Sequence, residues 1–159
     1  MTSELDKEII NDFQTESRGL IKEMIDTLEA CEGDFAKALR LADYGQLVDR
    51  IMGGALSLVA QMETPNVLMK QVGDYAGICK AVGYKASQIQ DNEEFYDVCV
   101  AFLLDATEVL RDLVDAISGR PTADLKEFIS KTFIERLKWL SNRFGEGYRA
   151  SVGISKKSD

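Results

Sequence analysis

The chain has 159 residues, 45% of them hydrophobic, with two prolines and no histidine. That length suits one domain, and the apolar content supports a real core, which excludes wholesale disorder. A formal net charge of −8 argues against nonspecific binding to nucleic acid or to an anionic membrane.

Ser3 caps a first helix, with Asp6 favourably placed near its positive end. Leu5, Ile9, Phe13, Leu20, Met24 and Leu28 then recur every three to four residues. Arg18-Gly19 is a candidate kink, because a mid-helix glycine costs about 1 kcal/mol against alanine. Gly33 ends this helix, and Asp34 begins a short apolar one through Phe35, Ala38, Leu39 and Leu41-Ala42. Asp43-Tyr44-Gly45 breaks or bends it, and Gln46 to Met62 reads as a third helix. Thr64 caps a fourth, with Pro65 at its first position and Gly83 past its end. Asp91 and Glu94 form a capping box ahead of a long fifth helix from Phe95 to Ile117. Thr122 caps a last helix carrying Leu125, Phe128, Ile129, Phe133, Leu137 and Leu140. Residues 146–159 lose periodicity and read as a flexible tail.

No strand-like alternation or internal repeat appears, so the expected class is all-α. Short turns predict an up-and-down antiparallel four-helix bundle with additional helices, the last at the C-terminus. The stripe on that last helix must be covered, since burying each such side chain is worth about 1.5–3 kcal/mol. It either packs on the bundle or pairs with a second copy. Residues 1–119 hold 10 Lys/Arg and 22 Asp/Glu, net −12, whereas residues 120–159 hold 9 and 5, net +4. The basic end is either an ordinary solvated surface or faces something acidic, the body or a partner.

Cys31, Cys79 and Cys99 are scattered, odd in number and without Cys-x-x-Cys spacing. They read as buried thiols; no disulfide framework, metal or cofactor is expected. Met1-Thr2-Ser3-Glu4 leads straight into a charged helix, and no apolar run reaches the ~20 residues of a membrane span. A cytoplasmic protein in a reducing compartment is the expectation.

Two segments carry a family likeness. One is Glu8-Ile9-Ile10-Asn11-Asp12-Phe13-Gln14-Thr15-Glu16-Ser17, followed by Leu20, Met24 and Leu28-Glu29; the other is Asp49-Arg50-Ile51-Met52-Gly53-Gly54-Ala55. In this order and spacing they resemble the histidine phosphotransfer (HPt) domain of chemotaxis-type histidine kinases, whose active helix runs roughly His-Ser-Ile-Lys-Gly-Gly-Ala. The likeness spans roughly residues 1–60; the rest agrees in being helical. It implies an HPt-like bundle over 1–119 and an additional C-terminal helix over 120–145.

Against that pattern, Asp49 stands where the family has its phosphorylated histidine, and Met52 where it has lysine. Phosphotransfer needs a nucleophilic imidazole, and a lone carboxylate lacks the metal site that supports an aspartyl phosphate. The resemblance thus implies a non-catalytic adaptor that binds a response-regulator receiver domain, or another signalling protein, through Gln46, Asp49, Arg50, Met52, Gly53 and Gly54. Gly53 and Gly54 would permit close approach, and Gln46 and Arg50 would frame the contact. Asp49 either imitates phosphohistidine weakly or is a plain solvated carboxylate beside Arg50. Leu47, Ile51, Ala55 and Leu58 belong to the core-facing stripe. The opposing reading has Gly53-Gly54 serving tight helix packing inside the bundle. Two other classes stay open: a scaffolding bundle that homodimerises through its C-terminal helix, and a receiver-directed phosphatase using Glu8 and Asn11. Trp139, off the main stripe, is either an interface anchor or packed under the tail.

Overall fold

Ser3 accepts a hydrogen bond from the Asp6 N–H at 3.0 Å and starts α1, Glu4–Cys31. The computed structural model describes residues 3–145 and Tyr148. A 3-10 segment, Phe35–Arg40, leads into α2, Leu41–Val59; α3, Val67–Ala86, and α4, Glu93–Ala116, follow. A 3-10 turn, Leu125–Glu127, precedes α5, Lys131–Phe144, and no strand occurs among the described residues. The tail expected over 146–159 lies outside the described residues, except for Tyr148, which meets the Phe144 ring edge-on at 5.0 Å.

Short links make α1 to α4 an up-and-down antiparallel bundle in which each helix neighbours the next. Contact of α4 with α1 closes it: Gln14 donates to the Val114 carbonyl at 2.9 Å, and Arg18 pairs with Asp115 at 2.8 Å. Met24, Leu28, Leu41, Val48, Val72, Leu103 and Leu110 fill the interior. The amphipathic α5 lies on the outside of α3 and α4. Phe133 stacks on Phe102 at 4.9 Å and nears Tyr75 at 6.1 Å, and Phe144 packs on Phe95 at 4.8 Å. The buried side chains of α5, Phe133, Leu140 and Phe144, are thus covered within one chain.

Several expected boundaries move. Gly19 does not kink α1, because burial of Leu20, Ile21, Met24 and Leu28 outweighs a single glycine's propensity cost. Leu5 and Leu39, expected on apolar faces, are exposed. Asp43-Tyr44-Gly45 does not break a helix but lies inside α2, and Gly83 lies inside α3 rather than past its end. The reason is reciprocal packing. A Cβ on Gly45 would stand 2.9 Å from the Tyr84 ring, and one on Gly83 would stand 2.8 Å from the Tyr44 ring. Each tyrosine fills the space that its partner helix leaves by having no side chain there, which more than offsets the glycines' cost. The same register continues along the pair, with Leu56 seated on Gly73 and Met52 against Gly77.

The caps move too. Asn66, not Thr64, caps α3 by accepting from the Met69 N–H at 2.9 Å, so Pro65 precedes the cap. Asn92, not Asp91, does the same for α4 through the Phe95 N–H. The last helix is divided. Asp124 and Glu127 box the 3-10 turn, Phe128 and Ile129 lie in the link, and Ser130 caps α5.

Polar groups inside the bundle are satisfied. The hydroxyls of Tyr44 and Thr107 are hydrogen-bonded at 2.9 Å, and those of Tyr75 and Tyr96 donate to the Ala106 and Cys31 carbonyls. Asp6 is fully buried, and its carboxylate accepts from the Glu63 and Thr64 N–H groups, each at 2.8 Å, which fastens the α2–α3 link to the first turn of α1. Asp6→Ala should therefore lower stability by about 2–4 kcal/mol in urea unfolding, because two charge-assisted bonds are lost together. Asp6→Asn should cost less, since its amide oxygen keeps one acceptor. Equal stability of all three proteins would show that the fastening contributes nothing.

Candidate functional site

The register of α2 decides what it shows to solvent. Val48, Ile51 and Ala55 point inward, and Leu47 and Leu58 are half-buried beside them. On the opposite side Gln46, Asp49, Arg50 and Gly53 are all exposed. Met52 and Gly54 are half-buried at the two seams of this face. The Met52 sulfur lies 3.4 Å from where a Cβ on Gly77 of α3 would stand, and a Cβ on Gly54 would meet the Phe13 ring of α1 at 3.7 Å.

The double glycine is not what packs the helices. A Cβ on Gly53 would have no atom within 4 Å, and one on Gly54 would make an ordinary contact. Close α2–α3 approach belongs instead to Gly45, Gly73 and Gly83. The Gly73-x-x-x-Gly77 spacing on α3 was the available signal, since glycines four apart share a helix face.

Charge on this face comes in pairs. Lys80 of α3 donates to an Asp49 carboxylate oxygen at 2.7 Å; its side chain is 21% exposed and that of Asp49 50%. Arg50 turns away from Asp49 and reaches Glu16 of α1 at 3.3 Å. Asp49 is thus not a lone solvated carboxylate beside Arg50 but half of an ion pair between helices. Lys80 went unnoticed in the sequence because nothing local marks it. Tyr84, one turn further along α3, has its phenol pushed up by burial; Lys80 opposes that shift and Asp49 adds to it.

Few groups elsewhere suit chemistry. Glu8 and Asn11 are both exposed on α1. Asn11 borders a groove of about 480 Å³ with Lys7, Gln14, Ser118 and Pro121, and Glu8 is not on its wall. Trp139 is 51% exposed, edge-on to Phe95 at 6.0 Å, with the Arg143 guanidinium over its ring. Among the described residues no three His, Cys, Asp or Glu side chains converge as metal ligands, and no helix is long and apolar enough to cross a membrane. Met24 and Met69 are core, and Met52 and Met62 are half-buried.

All three cysteines are buried and free. Burial pushes the Cys79 and Cys99 thiols up to about 12 and raises that of Cys31. The thiolate is the nucleophile, so these groups stay protonated and inert at neutral pH.

No family model matches the chain, and no curated protein or solved structure matches it.

The native protein should leave a disulfide thiol reagent unconsumed over minutes at pH 7.5 and react at three sites once denatured. Rapid labelling of the native protein would show that one of these thiols opens to solvent.

Proposed function

We propose that the chain is a non-catalytic HPt-like adaptor of two-component or chemotaxis-like signalling, which binds a receiver domain or related signalling protein in the cytoplasm through the exposed face of α2. The observation that carries this reading is Gly53. A glycine in mid-helix costs about 0.5–1 kcal/mol against alanine. At Gly45 and Gly83 that cost is offset by a tyrosine ring from the other helix; at Gly53 nothing in the fold offsets it. A bare backbone at the centre of a helix face lets a second protein approach more closely than any side chain would permit. Gly19 on α1 is equally unhindered, and no contact accounts for it.

Gln46, Asp49 and Arg50 frame the bare turn, and Met52 and Gly54 form its edges. The absence of any imidazole removes phosphotransfer. For the alternative of dimerisation through the last helix, Phe133 and Phe144 already pack on α3 and α4, which leaves Ile134 and Trp139 as the large apolar side chains that α5 exposes.

Gly53→Leu separates folding from binding. It should raise stability by about 0.5–1 kcal/mol in urea unfolding and weaken binding to an isolated receiver domain by about tenfold or more. Gly19→Ala is the control, expected to stabilise to a similar degree with affinity unchanged. Wild-type affinity in Gly53→Leu would remove the α2 face from consideration.

A further inference from the structure

From Gln46 to Met62 the chain carries just two charged residues, Asp49 and Arg50, in a protein of net charge −8. Each is compensated by a different neighbouring helix: Asp49 by Lys80 of α3, Arg50 by Glu16 of α1. Beside them on α3, Lys70 and Asp74 pair with each other at 3.0 Å. Of the other exposed residues of α2, Asp43 pairs with Arg40 just before the helix at 3.7 Å, and Gln46, Gly53, Leu56 and Ser57 are uncharged. Around the bare glycine the protein therefore shows a local neutrality that its composition does not supply. Contact regions between proteins are depleted of charge in this way, whereas surfaces that read an anion or imitate one keep a net field.

Lys80 is the residue on which this depends. Its side chain is the better-buried member of the pair and reaches from α3 to the Asp49 carboxylate on α2, so the charge is held where Asp49 can use it. An ion pair this exposed contributes little to folding, so its effect falls on the field above the face.

We infer that Lys80 sets the charge of the α2 face, holding and neutralising Asp49 so that the face meets a protein partner as a neutral, closely fitting surface and not as an anion standing in for phosphate. This rests on the adaptor reading for the identity of the partner. It makes Lys80 a specificity-determining residue and commits the partner to an uncharged contact zone opposite Gly53. A partner with a cationic phosphate-reading pocket would be a poor fit.

The test has one arm without a partner and one with. In the first, cationic and anionic nitroxide co-solutes are added to ¹⁵N-labelled protein, and relaxation enhancement is read at the Gly53 amide. The amides of Glu93 and Glu94, in the acidic first turn of α4, serve as the reference. Wild type should show the two probes equal within about twofold at Gly53, against a clear cation excess at the reference. Lys80→Met should bring a cation excess of about twofold or more to Gly53. Lys80→Arg should behave as wild type, and the double variant Asp49→Asn/Lys80→Met should return to equality. A cation excess already present in wild type, or no change in Lys80→Met, overturns the inference.

In the second arm, isolated receiver domains are titrated at low and high salt. Wild-type affinity should change by under about twofold, Lys80→Met by about threefold or more, and the double variant by no more than wild type. A wild-type affinity that falls about tenfold with salt also overturns the inference. If no receiver domain binds the wild-type chain, the adaptor reading fails on its own, and the first arm still decides what Lys80 does.

Discussion

The reciprocal seating of two tyrosines on two glycines governs this molecule. Tyr44 of α2 lies over Gly83 of α3, and Tyr84 of α3 lies over Gly45 of α2. Both rings are large and nearly sealed from water, so neither can slide along the facing helix without leaving a void or striking a backbone. A one-residue slip would rotate each ring by about 100° off its glycine. The two helices therefore have one workable alignment, and it is decided at a single end of the pair.

Everything along the α2–α3 seam follows from that alignment. Leu56 falls on Gly73, Met52 on Gly77, and Asp49 opposite Lys80. The outward side of α2 is left with a glycine that has no neighbour and three charges, Asp43, Asp49 and Arg50, that each find an opposite one. The candidate interface is thus a by-product of core packing: a change at Gly83 that shifted α3 would also separate Asp49 from its counter-charge, although the two positions share no contact.

Much of the architecture was legible in the residues. The three-to-four spacing of apolar side chains gave the helices, Ser3 gave the first cap, and the scarcity of proline agreed with an all-helical chain. The failures share a cause. Gly45 and Gly83 look like helix punctuation because glycine is intrinsically poor in helices, and only the opposite tyrosine shows why it is kept there. Thr64-Pro65 carries a familiar start signal, yet Asn66 is the residue whose amide both accepts from Met69 and donates to the Ile117 carbonyl, a partner 51 positions away. Within the site, the core-facing phase of Ile51 and Ala55 was readable from apolar spacing, whereas the outward placement of Asp49 depended on what the other helices cover. The pairing with Lys80 was not readable, because a partner 31 residues away on another helix is set by tertiary register.

The chain's single tryptophan lies on α5, against Phe95, and not in the bundle core. Indole emission consequently watches one outer helix leave α4 and is blind to the four helices beneath. Backbone dichroism, which every helix contributes to, follows those instead. A mismatch between the two melting curves would measure how far the outermost helix is thermodynamically independent of the bundle it covers.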